Sequence, residues 1–384
     1  MRIGIDAVPL RRQRTGIGNY IYGLLEWLPQ VAPQNEYFVY SNRRVNLPPA
    51  FIASQEQTPQ ERIDSRFRWC PGTIWLLCRC SNLIRKDTID VFWATAAVLP
   101  PSLPPGILKI VTVYDLVWLR CPETTTSYNL LIQKMCARKA IAQADLILTI
   151  SRTTQDELIE TLAVPRSKTR VVYPVISDRY KSQNPKDAAE YISNKYAVPA
   201  RYMATLGTVE PRKNLAVLVR ALRILKENGA LNCPLLVAGA NGWKNSNLFG
   251  EIQASGLTQD DIRFLGYLPD EDLPFFYSGA QLFLFPSFYE GFGLPPVEAM
   301  ACGAPVIASN AQCMPEVLGD AGILESPTCP QRFAAAITKV LEDENLRRLM
   351  RDRGILRAGE FSSRASAQRL LDVFEERRCS AIHV

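Results

Sequence analysis

Two carboxylates, Glu290 and Glu298, flank a glycine-rich bend in FPSFYEGFGLPPVEAMACGAPVIAS, residues 285–309. A strand reads into it from Phe283 to Ser287, and Pro295 suits the first turn of a helix because it has no amide hydrogen to leave unpaired. The helix runs on to Gly303, which can cap it. Glu290 then sits in the loop before the helix, and Glu298 lies about one turn inside. Gly291 and Gly293 let backbone amides approach a polar ligand closely. Acids on either side would accept hydrogen bonds from hydroxyls, a combination that suits a phosphorylated sugar better than a bare anion. The helix dipole alone would account for Glu298, but not for the dense glycine, proline and aromatic setting.

The stretch LGTVEPRKNLAVL, residues 206–218, places Arg212 and Lys213 just before a helix that starts near Asn214. Cations there oppose the helix dipole. A diphosphate would justify them, since arginine offers a planar fork and lysine a point charge to the same oxygens; taken alone, a solvated basic loop is the competing account. In RRQRTGIGNYIYGLL, residues 11–25, Gly16 and Gly18 precede a helix, so that a phosphate or sugar could approach the backbone. The run falls short of G-x-G-x-x-G, and a simple turn is the other reading. In VTVYDLVWLRCPET, residues 111–124, Tyr114 and Asp115 end a core strand, where the pair faces a ligand or the tyrosine closes the core. The acidic PDEDLP, residues 269–274, reads as a solvent-facing helix start and not as a metal-binding D-x-D. The one histidine, His383, stands next to the last residue, which removes Ser-His-Asp triads, Cys-His pairs and most zinc sites. Catalysis must use carboxylates, lysine, arginine, tyrosine or backbone dipoles, and no metal is expected.

The elements that hold these residues are legible as short apolar runs at 2–7, 36–41, 90–94, 109–115, 145–151 and 170–174, then 201–207, 234–239, 261–266, 281–287 and 304–309. Continuous hydrophobicity marks strands covered on both faces. Helical patterns separate them: Ile21, Leu24, Leu25 and Leu28 with Pro29 near the end, and Leu215, Leu218, Val219, Leu222 and Leu225 up to Gly229. This alternation implies an α/β fold with doubly wound parallel sheets, and 384 residues exceed what one core usually organises. Residues 178–199 are polar and read as a hinge with a connecting helix. The expectation is two successive Rossmann-like domains facing across a cleft, with ligands beyond the carboxyl ends of the strands.

A net charge of +6 without a dense basic tract makes nucleic acid a poor partner. Ten cysteines lie irregularly, and the N-terminal MRIGIDAVPL reads as a buried strand, not as a signal peptide, so reduced thiols in a cytoplasmic protein fit. No apolar run reaches the roughly 20 residues that cross a bilayer. The segment RFRWCPGTIWLLCRCSNLIRK, residues 66–86, mixes Trp69, Trp75 and Leu77 with five basic residues. It reads as a domain helix with one buried face or as a basic, aromatic surface for lipid headgroups.

The run EGFGLPPVE from Glu290 to Glu298 resembles the E-x7-E motif of retaining GT-B glycosyltransferases of family 4, the group 1 type. GTVEPRKN, FLGYLPDEDLPFFYSGA, TISRTTQDEL and TGIGNY extend the resemblance over nearly the whole chain. It implies a cytoplasmic enzyme that moves a sugar from a nucleotide-sugar donor, with residues 1–177 and a final helix at about 364–384 binding the acceptor and 178–363 the donor. By this resemblance Arg212 and Lys213 hold the donor diphosphate, Glu290 and the amides of Phe292, Gly293 and Leu294 address the donor sugar, and Glu298 binds the ribose. Gly16, Gly18, Tyr114 and Asp115 would face the donor from the other domain. Tyr114 departs from the family, in which a histidine before the aspartate touches the sugar; a phenol can hydrogen-bond a hydroxyl but cannot become a cation near neutral pH. Retention in such enzymes is thought to proceed on one face of the sugar without a protein nucleophile, and no cofactor or metal is implied. TGIGNY with EPRKN is most similar to the mannosyltransferase branch. The expected donor is GDP-mannose, and the acceptor a saccharide, lipid-linked ones included, in polysaccharide or O-antigen biosynthesis. Peripheral contact through 66–86 with the inner face of the plasma membrane goes with it. The alternatives are a UDP-sugar transferase, a sugar-nucleotide epimerase and a catalytically silent sugar-nucleotide-binding scaffold.

Overall fold

Strands that are apolar at every position need cover on both faces, and a computed structural model of the chain supplies it. The structure describes residues 1–11, 16–53, 60–124, 127–243 and 245–380. His383 and the part of the N-terminal glycine motif at 12–15 lie outside the described residues. In chain order the strands are β1 (Arg2–Asp6), β2 (Glu36–Ser41), β3 (Gln60–Ile63), β4 (Val91–Ala94), β5 (Leu108–Val113), β6 (Leu146–Thr149) and β7 (Thr169–Val171). There follow β8 (Met203–Leu206), β9 (Leu235–Ala238), β10 (Ile262–Gly266), β11 (Leu282–Phe285), β12 (Val306–Ser309) and β13 (Ile323–Glu325). They form two parallel sheets, ordered β3-β2-β1-β4-β5-β6-β7 and β10-β9-β8-β11-β12-β13. Every residue of β4, β9, β11 and β12 is buried. The two strands absent from the sequence reading, β3 and β13, are short edge strands of mixed burial, which leave no apolar run to recognise.

The chain divides into two compact units, one of residues 1–175 and 361–384, the other of residues 176–360. In the first, the helix Gly16–Val31 buries Tyr20, Ile21, Leu24, Leu25 and Leu28 along one face and carries Pro29 inside. Gly16 and Gly18 are therefore within its first turn and do not precede it, a correction to the sequence reading; Gly18 is buried. The helix Ser363–Ser380 packs on Gly16–Val31. It sets Phe374 6.0 Å from the Trp93 ring, and Glu376 receives two hydrogen bonds from Arg170, at 2.7 and 2.6 Å.

In the second unit, the helix Leu215–Glu227 turns Leu215, Leu218, Val219, Leu222 and Leu225 into the core and packs against the helix Pro330–Glu342. The polar stretch read as a hinge contains a helix, Pro185–Tyr196, that packs on the helix Leu273–Ser278. That contact overturns the reading of PDEDLP as solvent-facing. Asp272 is fully buried and accepts hydrogen bonds from Tyr191 (2.7 Å), Lys195 (2.7 Å) and Tyr196. Burial pushes its carboxyl up, but these three donors together hold it below its ordinary value.

In each sheet the strand order reverses direction between two neighbours, β1 and β4 or β8 and β11, and ligands of open parallel sheets collect beyond the carboxyl ends of strands at that point. A cavity of about 770 Å³ lies elsewhere, lined by Met1, Asp90, Lys109, Asp145 and the proline-rich run after Leu99, at the amino ends of the first unit's strands. Its volume alone does not mark the site. No described helix is long and apolar enough to cross a membrane.

Candidate functional site

The second sheet places its charged residues at the point of reversal. After β8 the chain makes a single 3-10 turn, Pro211–Lys213, and Asn214 takes a left-handed conformation (φ 54°) before the helix begins. The Asn214 side chain holds that geometry by donating to Pro286 O (3.0 Å) and Pro327 O (2.7 Å). After β11 the chain enters the bend with Glu290. The two loops meet: Phe288 N donates to Arg212 O (2.9 Å), and Arg212 Nη1 to Tyr289 O (2.8 Å).

Their side chains form one ionic cluster. Glu290 Oε1 accepts from Lys213 Nζ at 2.6 Å, and Glu290 Oε2 lies 2.9 Å from Arg212 Nη1. Glu210, which the sequence reading passed over, lies 2.7 Å from Arg212 Nη2. A glutamate two residues before an exposed-looking arginine was the available signal. Burial pushes the Glu290 carboxyl up, but Lys213 and Arg212 outweigh it and hold it at about 2. Glu290 is thus a fixed anion, too weak a base to take a proton near neutrality. Lys213 retains hydrogen-bonding capacity, because an ammonium carries three donors and Glu290 takes one; its Nζ also sits 5.1 Å from the Phe285 ring centroid.

The bend is braced from the loop after β12. Cys313 Sγ lies 3.1 Å from the carbonyl oxygens of both Glu290 and Phe292, which share its one thiol proton. Gly293, at the N-cap of the helix Leu294–Ala301, has φ 91°, and a Cβ there would lie 2.4 Å from Met314 Cε. Only glycine meets both conditions. Nothing in the local pattern flagged Cys313, which reads as one more scattered thiol.

Glu298 lies in a different setting. It is buried inside the helix Leu294–Ala301 and accepts a hydrogen bond from Tyr277 Oη at 2.8 Å. The Tyr277 ring packs edge-on against Tyr180 (6.1 Å) and Phe283 (5.3 Å). Burial lifts the Glu298 carboxyl from 4.5 to about 7, with the Tyr277 and Tyr180 hydroxyls pulling the other way. The structure brings Glu290, Arg212 and Lys213 into one cluster and seats Glu298 in a second, tyrosine-lined one.

In the first unit, Gly16 opens the helix Gly16–Val31, where a Cβ would meet nothing within 4 Å. Tyr114 follows β5; its hydroxyl donates to Thr95 O at 2.6 Å and its ring stands edge-on to Tyr20 at 5.5 Å. Burial pushes the phenol well above its ordinary value, so it remains a donor. Asp115 Oδ1 accepts from Val117 N (3.1 Å) and caps the turn that follows. Sequence reading missed Asp6. It ends β1 beside the reversal point, is fully buried, and its backbone oxygen accepts from Thr95 Oγ1 at 2.7 Å. Oδ1 accepts from Val8 N at 2.9 Å, whereas Oδ2 is buried without a partner among the described residues. Burial raises Asp6 from 3.8 to about 7 against the pull of the Val8 amide, Arg11 and Thr95. A lone aspartate at a strand end gives no sign of this burial until β1 is flanked by β2 and β4. Among the described residues no group of three or more His, Cys, Asp or Glu could hold a metal ion.

Two Rossmann-like units, the second with acids and cations at its reversal point, define a GT-B glycosyltransferase. Residues 14–179 match the Glycosyltransferase Family 4 model and residues 190–357 the Glycosyl transferases group 1 model. The chain belongs to this family, in its mannosyltransferase-like branch, and is a hexosyltransferase. It is 34% identical over 261 residues to O-antigen chain mannosyltransferase B of Escherichia coli, covering 68% of each chain. It is 30% identical over 236 residues to the serotype-specific mannosyltransferase WbdA of Escherichia coli, covering 60% of this chain but only 29% of WbdA. Among solved structures, sucrose-phosphate synthase from Thermosynechococcus elongatus is similar with a TM-score of 0.74 at 18% identity over 99% of both chains. WaaG, a glycosyltransferase involved in lipopolysaccharide biosynthesis, is similar with a TM-score of 0.71 at 15% identity, covering 97% of this chain and 100% of WaaG. These two likenesses speak to the fold.

Proposed function

We propose that the chain transfers mannose from GDP-mannose, with retention of configuration and without a metal, to a lipid-linked saccharide acceptor at the cytoplasmic face of a membrane, in assembly of an O-antigen type of polysaccharide. The observation that carries the reading is the pair of cations, Arg212 and Lys213, held by one largely covered carboxylate, Glu290, at the reversal point of the second sheet. The similarity to O-antigen chain mannosyltransferase B supports the sugar and the pathway class.

Arg212 spends its guanidinium on Glu210, Glu290 and the Tyr289 carbonyl, so it acts as the clamp that orders the two loops. Lys213 has donors to spare and is the diphosphate contact, stabilising the negative charge that grows on the leaving GDP. The donor's C1–O bond breaks while the acceptor hydroxyl attacks the same face, and the departing diphosphate oxygen takes the hydroxyl proton. Glu290, ionised down to about pH 2 and tied to both cations, orients Lys213 and the donor sugar and forms no covalent bond. Glu298 meets the ribose, Gly16, Gly18, Tyr114 and Asp115 face the donor, and the rest of the first unit receives the acceptor.

Thermal unfolding with GDP, UDP, ADP and dTDP at matched concentrations tests the donor: a ligand at about 100 times its Kd adds roughly 2.7 kcal/mol to the native state. GDP alone should stabilise the chain, Lys213→Ala should abolish that response and the transfer, and the product should be the α-mannoside by NMR. Selective stabilisation by UDP moves the donor to a UDP-sugar; stabilisation by a nucleotide with no turnover supports the sugar-nucleotide-binding scaffold, and no response to any of the four overturns the enzyme reading.

A further inference from the structure

Trp69 is 80% exposed, far more than a large aromatic side chain usually is, and the turn that carries it is pinned, not loose. The buried Asn42, just after β2, donates from Nδ2 to Phe67 O (2.8 Å) and Cys70 O (2.9 Å), and Arg11 holds the Asn42 amide from the other side. Arg43 Nε donates to Arg68 O at 2.5 Å, and Cys70 N to Phe67 O at 2.9 Å. The bonds bracket Arg68 and Trp69, so the indole is displayed on a fixed platform. The charge around it has one sign. Residues 65–86 contain Arg66, Arg68, Arg79, Arg85 and Lys86 and no acid, and all five are exposed. The Arg68 guanidinium lies 5.1 Å from the Trp69 ring, and that of Arg79 4.6 Å from the Phe67 ring. The acids that bound the segment are both engaged: Asp64 by Trp75 Nε1 (3.2 Å) and Arg79 (3.9 Å), and the buried Asp87 by Arg62 (2.6 Å) and Tyr40 Oη (2.9 Å). Ile74, 45% exposed, adds apolar surface in the same segment.

We propose that this turn is a membrane-docking surface: Trp69 enters the headgroup region of an anionic bilayer while the surrounding arginines meet lipid phosphates. An indole with cations and no acid fits that interface, where one end of the side chain is apolar and the other wet. A glycan platform is the rival occupant, but it wants an open aromatic face and no excess charge, and here Arg68 already lies against the ring. The platform follows β2 and β3, at the same edge of the sheet as Asp6, Thr95 and Tyr114, so docking would hold that edge near lipid-borne acceptors. The inference deepens the lipid-linked reading, yet vesicle binding needs no turnover and can fail or succeed independently of it.

The test is sedimentation of the full chain with phosphatidylcholine vesicles, with and without about a third phosphatidylglycerol. The chain should bind the anionic vesicles, release them at raised salt and leave neutral ones in solution. Removing two cations (Arg66→Gln with Arg68→Gln) should weaken binding about 30-fold, at on the order of 1 kcal/mol per basic residue. Trp69→Ser should weaken it by about tenfold, as partial burial of a large apolar side chain implies, with an unchanged melting curve. Binding that ignores lipid charge, or a Trp69→Ser chain that binds like the original, overturns the proposal. Loss of retention on immobilised mannan by Trp69→Ser, with vesicle binding intact, overturns it in favour of the glycan.

Discussion

Removing the Glu290 charge would leave Lys213 and Arg212 facing a mostly dry setting unpaired, and a half-broken buried pair costs more than the pair contributes. Glu290→Gln should therefore destabilise the second unit by about 2–3 kcal/mol in urea unfolding, less than the full penalty because water reaches the edge of the cluster. Combined with Lys213→Met, the loss should be smaller than the sum of the single losses. Because its folded pKa is depressed to about 2 from 4.5, Glu290's contribution is complete above pH 4.5 and disappears as the pH falls toward 2. Glu298 has the opposite sign. Its carboxyl is raised from 4.5 to about 7, so the folded state holds its proton longer than the unfolded chain and stability declines as pH rises through that window. Glu298→Gln should remove a decline on the order of 3 kcal/mol between those limits, leaving the decline due to Asp6, whose shift from 3.8 to about 7 is the larger and has the same sign; an unchanged pH profile would refute the assignment. Arg212 and Lys213 were legible because cations at a helix start conflict with local electrostatics, and Glu290 because glycines crowd it. Asp272 was misread because its partners, Tyr191, Lys195 and Tyr196, lie 76 to 81 residues earlier in the chain.

Strand β11, the bend and the helix Leu294–Ala301 act as one device, and Gly293 is its tightest point. Gly293→Ala imposes a Cβ at φ 91° and a 2.4 Å approach to Met314 Cε. The expected cost is about 2–3 kcal/mol, of which a left-handed non-glycine residue accounts for about 1–2. Met314 is buried and its truncation costs stability by itself, so the steric part is read as the coupling in a double-mutant cycle of Gly293→Ala, Met314→Ala and the pair, from their denaturant midpoints. A Gly293→Ala chain as stable as the original would mean the bend is not fixed as described. At this scale the sequence was most readable where burial is complete, as in β9 and β11, since a fully covered strand has no polar position to blur its run. It was least readable at the edges: β3, with Gln60, Glu61 and Arg62, is half-solvated, and pairing with β2 alone makes it a strand. The start of the first helix was misplaced because Gly16 and Gly18 are poor helix formers by propensity, yet tertiary packing of Tyr20, Ile21 and Leu24 carries the helix back through both.

The last helix belongs in space to the unit that begins the chain, a long-range return for which no local pattern speaks and which only the family resemblance suggested. Its inward face, Ala367, Leu370, Leu371, Val373 and Phe374, is at most 5% exposed. The four larger side chains together represent about 6–12 kcal/mol of burial, at about 1.5–3 kcal/mol for each large apolar residue. That is an upper figure, since the unfolded chain buries some of this surface too. A typical domain has about 5–15 kcal/mol in all, so the first unit cannot lose this helix and remain folded. The second unit keeps its own core, which draws on Leu218, Leu222, Leu284, Ile307 and Ile337 and on no residue beyond Met350. Ending the chain after Glu360 should therefore abolish the unfolding transition of the first unit and make its strands protease-sensitive, while the transition of the second persists near its original temperature. Limited proteolysis with calorimetry of both chains reads this directly. A shortened chain that still protects β1 through β7 would show that the helix only decorates a sheet already stable without it, whereas loss of both transitions would show that the two cores fold as one cooperative unit.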